Sequence, residues 1–319
     1  MIRLPPLRAE WSLWWRTLGP AARWLPLAIA AAYPGIHAWG GGLRRDHLWL
    51  AGAALVLYYA GPRLRPLGRF LVPLLLLVAV YDAQRYWVEA WRGPVRVAEP
   101  RAWELAWFGL EDGGRRVTPA EWWQTRTHPV LDGLCGVAYL GFMPAFLGMA
   151  AWWRFGARSS LAPRVLWALL ALNLAGYVVY LLYPAAPPWY VDRHGLGPVV
   201  LSAAPEAAGA ARFDALFGVD WFAQYYGRNA NVFGAIPSLH VGQTFLAVLF
   251  AWWFRSLRGP ATAFWLLVTF ASVYLNHHYL VDGLAGMLLA AVVFAGTVGL
   301  RGRAAGGAIS GGIPGDPRG

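Results

Sequence analysis

Two short stretches of an otherwise apolar chain hold residues able to do chemistry. "PSLH" sets His240 at the mouth of a run that continues "VGQTFLAVLFAWWF", and "NHHYLVDG" contains His277, His278 and Asp282. A titratable side chain at a membrane boundary is costly to desolvate, which makes it a functional candidate. His278 and Asp282 stand at i, i+4, the spacing that puts two side chains on one helical face. An aspartate there can accept a ring N–H, fix the tautomer and leave the other nitrogen free as nucleophile or base. His240 is a second, separate histidine able to act as acid and then as base. Together these are the parts of a two-step group transfer. Taken singly, a helix-gluing polar pair accounts for His278 and Asp282, and a helix cap for His240. Zinc ligation by His240, His277, His278 and Asp282 suits the ligand types. Adjacent histidines on a helix point about 100° apart, however, which makes shared ligation awkward and argues for no metal.

The elements that must position these residues are membrane helices. Of 319 residues, 58% are hydrophobic and 13% charged, about half the charged share of soluble domains. Several apolar runs approach the roughly 20 residues a spanning helix needs. The fold class expected is all-α, a polytopic transmembrane bundle of about eight spans: 24–40, 47–61, 66–82, 130–153, 163–183, 238–254, 260–278 and 280–300. Pro26, Pro34 and Gly35 interrupt the first of these. Residues 1–23, with four arginines around "WSLWW", predict an interfacial helix rather than a cleaved signal. In the charge-balanced segment 83–129, "EPRAWELAWFG" and "PAEWWQT" predict amphipathic surface helices. A loop rich in Ala, Pro and Gly covers 184–237, and the tail from Arg301 predicts disorder. The domain expectation is 1–65 for the interfacial helix and two weak spans, 66–300 for the catalytic membrane domain, and 301–319 for the tail.

The net charge of +11 comes from arginine alone, scattered between the apolar runs. That distribution suits topology and headgroup anchoring, not nucleic acid. The single cysteine, Cys135, excludes an intrachain disulfide and a multi-cysteine metal site. Eight spans put both termini on one side. The arginines of the N-terminal segment, of loops 62–69, 154–164 and 255–259, and of the start of the tail mark that side as cytoplasmic. "YPAAPPWY" (183–190), "PSLH" and "NHHYLVDG" then gather at the opposite face; the lysine-free, Ala-, Gly- and Arg-rich composition suggests a GC-rich genome, and the membrane expected is a bacterial cytoplasmic one.

"FGAIPSLH" followed by "YLNHHYLVDGLAG", with 38 residues from His240 to His278, resembles the type 2 phosphatidic acid phosphatase superfamily. Within it, the chain is most similar to the branch containing fungal inositol phosphorylceramide synthase. "YPAAPPWY" resembles that branch's first motif, and "WELAWFG" and "THPVLDGLCGVAYL" are also similar, so the likeness covers roughly 80–300. The resemblance implies a six-helix phosphatase-like core. It implies that His278 attacks phosphorus to form a phosphohistidine, that Asp282 orients it, and that His240 protonates the departing lipid oxygen and then deprotonates the acceptor. It implies no metal and no organic cofactor. It also marks Ser238 of "PSLH" and Tyr183 and Tyr190 of "YPAAPPWY" as substrate-binding candidates.

The chain departs from the superfamily pattern in its cations. It has no lysine, "YPAAPPWY" carries no basic residue, and position 272, where members of the superfamily carry arginine, is serine. A phosphomonoester is close to a dianion near neutral pH, whereas a diester carries one charge. Fewer cations therefore suit a diester in a low-dielectric site. Arg228, nine residues before Pro237, is the candidate for the remaining phosphate contact, with His277 as a further donor. The expected function is transfer of a headgroup phosphate, inositol phosphate from phosphatidylinositol in the leading reading, to a lipid hydroxyl such as that of ceramide. The partners are then a phospholipid donor and a lipid-alcohol acceptor. The alternatives are a phosphatase or phosphodiesterase using water, and a non-enzymatic lipid-binding protein.

Overall fold

The computed structural model describes residues 7–229 and 231–307. Each of the eight expected spans falls largely on a helix, except that residues 275–278 of the seventh form a turn. The order is α1 (Leu7–Thr17), α2 (Pro20–Trp39), α3 (Arg45–Tyr59), α4 (Arg65–Ala83), α5 (Val88–Trp91), α6 (Ala98–Phe108), α7 (Pro119–Gln124), α8 (Pro129–Ala151), α9 (Val165–Leu182), α10 (Pro188–His194), α11 (Ala211–Phe217), α12 (Trp221–Tyr226), α13 (Leu239–Trp253), α14 (Arg258–Tyr274) and α15 (Leu280–Gly307). Local chemistry sets several starts. Proline occupies the first turn of α2, α7 and α8, where its missing N–H costs nothing. Thr118 and Glu121 cap α7 reciprocally, Thr118 Oγ1 accepting from Glu121 N–H and Glu121 accepting from Thr118 N–H. The sheet content among the described residues is one hairpin, β1 (Leu110–Asp112) with β2 (Arg115–Val117). Its turn is Gly113-Gly114, both at positive φ, as a two-residue turn matching the strand twist requires.

Among the described residues, four helical stretches are long and apolar enough to cross a membrane: Arg65–Tyr86, Pro129–Gly156, Ala162–Leu182 and Leu280–Gly299. This is a helical membrane protein. Helix α13 is apolar but has 15 residues, about 22 Å of rise against a hydrocarbon core of about 30 Å. Helix α15 continues past the expected end of its span to Gly307, so the first part of the expected disordered tail is helical; residues 308–319 lie outside the described residues.

Contacts divide the chain between Tyr86 and Trp87, so the span at 66–82 falls in the first unit. In that unit, buried Asp82 is matched by Arg44 (2.7 Å), Arg85 and His47 Nε2 (2.6 Å), and His37 Nδ1 meets the Tyr86 hydroxyl at 2.8 Å. His37, His47 and Asp82 are metal-ligand types held close together, but the donor set does not fit a metal. The two imidazoles are stacked at 3.7 Å, so their lone pairs run side by side instead of converging. His47 Nδ1 accepts the Arg44 N–H, which leaves the Nε2 proton directed at Asp82. The group neutralises a buried carboxylate.

In the second unit α13 packs against α15, α14, α9 and α8. Its approach to α15 is set by glycine: a Cβ on Gly242 would lie 2.9 Å from the Gly286 carbonyl oxygen, and one on Gly286 would overlap the Ser238 carbonyl oxygen. Small residues at a helix crossing let backbones meet in this way.

Candidate active site

Three elements bring the chemistry together: the start of α13, the turn between α14 and α15, and the middle of α8. Helix α14 stops at Tyr274 because the chain folds back, and the N–H groups of His277 and His278 both donate to the Ser272 carbonyl at 3.0 Å. Asn276 takes the left-handed conformation in this turn, at φ 63°. His278 therefore lies in the turn two residues before α15, not on the helical face that its spacing to Asp282 predicts. The pairing survives: His278 Nδ1 stands 3.3 Å from Asp282 Oδ2, which also accepts the Tyr279 N–H at 2.9 Å. Asp282 is fully buried and His278 is 6% exposed. Because Nδ1 faces the carboxylate, Nε2 is the nitrogen left for a substrate.

Ser238 is the N-cap of α13, its Oγ accepting from Val241 N–H at 3.4 Å. Its own N–H donates to the Asp282 carbonyl at 2.8 Å, which ties the base of α13 to that of α15. His240 is the second residue of α13, and its ring lies 5.6 Å from the His278 ring, centroid to centroid. His240 Nδ1 meets the Tyr139 hydroxyl at 3.1 Å, and the two rings stack at 4.2 Å. Phe142 covers a further side. His277 turns away from His278 and stacks between Tyr226 (4.3 Å) and Tyr139 (5.4 Å).

The remaining sequence candidates are spread around this centre. Tyr183 closes α9 and stacks on Trp103 at 5.8 Å. Tyr190 is buried, and its hydroxyl accepts the Val200 N–H at 2.8 Å. "YPAAPPWY" itself is pinned by backbone pairing of Ala185 with Arg96 on one side and Gly234 on the other. Arg228 is exposed in the turn after α12, two residues beyond Tyr226.

Sequence reasoning missed the residues that hold the turn from outside. Glu104 of α6 is completely buried, and its two oxygens accept the Leu280 and Val281 N–H groups at 3.0 and 3.1 Å. Those are free donors of the first turn of α15, so Glu104 caps the helix that carries Asp282. Burial pushes its carboxyl up to about 7, against the pull of the two N–H groups. Arg212 forms a second brace: it donates to Asp132 (2.7 Å), to Gln124 Oε1 (3.0 Å) and to the Tyr274 carbonyl (3.1 Å). Tyr274 donates its hydroxyl to Asp132 at 2.8 Å. The "THPVLDGLCGVAYL" stretch thus supplies both this brace, through Asp132, and the His240 partner, Tyr139.

Comparison with known proteins agrees with the geometry. Residues 117–296, more than half of the chain, match the PAP2 superfamily. The chain is similar to a phosphoinositol dihydroceramide synthase of Bacteroides thetaiotaomicron, 35% identical over 77% of this chain and 81% of that protein. It is also similar to the inositol phosphorylceramide synthase of Candida albicans, 35% identical over 53% of this chain and 36% of that protein. The catalytic subunit of the Saccharomyces cerevisiae inositol phosphorylceramide synthase is 31% identical over 70% of this chain and 54% of its own length. No solved structure matches. With His240, His278 and Asp282 brought together on a helical membrane scaffold, the chain belongs to the PAP2 superfamily.

Proposed function

We propose that the protein moves phosphoinositol from phosphatidylinositol to the hydroxyl of a ceramide-type lipid through a phosphohistidine at His278. In the first step His278 Nε2 attacks phosphorus and the bond to the diacylglycerol oxygen breaks. His240 supplies the proton that oxygen needs. In the second step the acceptor hydroxyl attacks phosphorus, the P–N bond breaks, and His240 takes the hydroxyl proton, which restores both histidines. Asp282 holds the His278 tautomer and balances the charge on its ring. Tyr139 does the corresponding work for His240, leaving His240 Nε2 for the transferred proton.

The observation that carries this reading is the facing pair of histidine rings at 5.6 Å, each with one nitrogen already engaged. The names of the similar proteins support the donor and the acceptor. A lipid acceptor is favoured over water because His278 is nearly sealed and the neighbouring His240 and His277 are packed by the aromatic rings of Tyr139, Phe142 and Tyr226. His277, Tyr183 and Arg228 are the substrate-binding candidates around this centre, while Ser238 and Tyr190 are buried and hold backbone N–H groups; in this reading the site is on the non-cytoplasmic face of a bacterial cytoplasmic membrane. The test is product analysis: purified protein is given phosphatidylinositol and ceramide, and the lipids are read by mass spectrometry. A phosphoinositol-bearing sphingolipid that vanishes with His278→Ala supports the proposal. Release of diacylglycerol and free inositol phosphate alone, with ceramide present, contradicts it.

A further inference from the structure

A cavity of about 240 Å³ is lined in part by Asn276 of the turn between α14 and α15, and by none of His240, His278 and Asp282. It is smaller than the roughly 300–1,000 Å³ of pockets for drug-sized ligands, the size for one ring-sized group. Its lining includes Trp189 and Asp192 of α10, Asn276, Ala208 and Gly209. Asn276 is two residues from His278, at most about 7 Å along the chain.

The chemistry of the lining selects a ligand class. Asn276 is 5% exposed, its Nδ2 donates to Asp192 Oδ2 at 2.6 Å, and its Oδ1 has no partner among the described residues. A buried unsatisfied acceptor next to a carboxylate calls for hydroxyl donors. The two cations of the lining are spoken for: Arg193 donates to Glu206 at 3.0 Å and Arg212 to Asp132 at 2.7 Å. An anion arriving here finds acceptors without a free positive charge. A quaternary ammonium group needs an aromatic cage, and Trp189 is the only aromatic ring in the lining. A neutral ring bearing several hydroxyls satisfies every condition, with its C–H face on Trp189 and its hydroxyls on Asp192 and Asn276.

We infer that this cavity is the headgroup subsite, taking the cyclic polyol of the donor lipid while its phosphate reaches His278. The inference rests on the phosphoinositol-transfer reading for the link to His278, while the polyol specificity stands on the lining itself. Two variants test it without touching the histidines. Asp192→Asn keeps an acceptor for the Asn276 amide but weakens the hold on hydroxyls. Ala208→Leu fills the cavity and removes no polar group.

The experiment has two arms on the full-length protein in detergent. In the first, KM and kcat are measured with phosphatidylinositol and with phosphatidylglycerol. The expected result is a KM for phosphatidylinositol raised at least about tenfold in both variants, with kcat within about threefold and the phosphatidylglycerol constants unchanged. In the second, glycerophosphoinositol is titrated into each protein by calorimetry, with no turnover required. Binding to the wild type that Ala208→Leu abolishes supports the subsite even when no donor is turned over, which would sink the transfer reading alone. Turnover of phosphatidylinositol with unaltered KM in both variants, or equal binding to wild type and Ala208→Leu, overturns the subsite and leaves the transfer reading standing. Absence of both turnover and binding overturns both.

Discussion

Glu104 offers the sharpest energetic test of how the catalytic turn is held. Its carboxyl has no exposure, and the rise from an ordinary 4.5 to about 7 corresponds to about 3 kcal/mol of difference between its two protonation states. The folded protein binds this proton more tightly than the unfolded chain does. Stability from this group is therefore complete below pH 4.5 and lost as pH rises through about 7. Glu104→Gln does not titrate. Losing one acceptor for Leu280 or Val281 costs the variant about 1–3 kcal/mol, but that offset is independent of pH. Thermal unfolding in detergent micelles should show the wild type losing ground to Glu104→Gln between pH 4.5 and 8. The differential is about 3 kcal/mol, on the order of 5–10 °C in relative Tm for a unit of this size. A difference in Tm that stays constant across that range would refute a buried, desolvated Glu104 carboxyl under the catalytic turn.

Two further substitutions probe contacts around the histidines. Tyr139→Phe keeps the ring stacked on His240 and removes the 3.1 Å hydroxyl contact. A loss of about 1 kcal/mol of orientation predicts about a fivefold fall in kcat with KM unchanged, and steady-state kinetics would show whether KM moves instead. Gly286→Ala drives a methyl group into the Ser238 carbonyl, where α13 and α15 meet. It should destabilise the second unit by about 1–3 kcal/mol, read as a lowered unfolding midpoint, and reduce activity by shifting His240 relative to His278.

The candidate catalytic residues that the structure brings together were legible in the sequence because each is announced locally. Ser238 and His240 open an apolar run, and His278 and Asp282 share a short spacing that survives the change from helix to turn. The helices were legible for the same reason, since long apolar runs punctuated by proline and arginine read directly as elements. What was hidden comes from residues distant in the chain. Glu104 lies 176 residues before Leu280, Tyr139 lies 101 before His240, and Arg212 lies 80 after Asp132. On a surface helix read by its periodicity, Glu104 belongs to the wet face; the fold buries it completely because the first turn of α15 needs acceptors. Position 272 shows the reverse case. Its serine reads as a missing cation, and the structure shows a buried residue whose carbonyl holds both turn histidines. The cavity proposed for the headgroup had no signature at all, since Trp189, Ala208 and Asn276 converge only in three dimensions.

The most direct test of the account is to trap the intermediate. Purified protein is mixed with phosphatidylinositol in the absence of any acceptor lipid, quenched in alkali within the first turnover, digested, and analysed for modified peptides by mass spectrometry. The account predicts phosphoinositol on His278, lost in His278→Ala and discharged when ceramide is added before the quench. Efficient transfer to ceramide with no covalent adduct on His278 at any time, or an adduct carried by His240 or His277 instead, would contradict it.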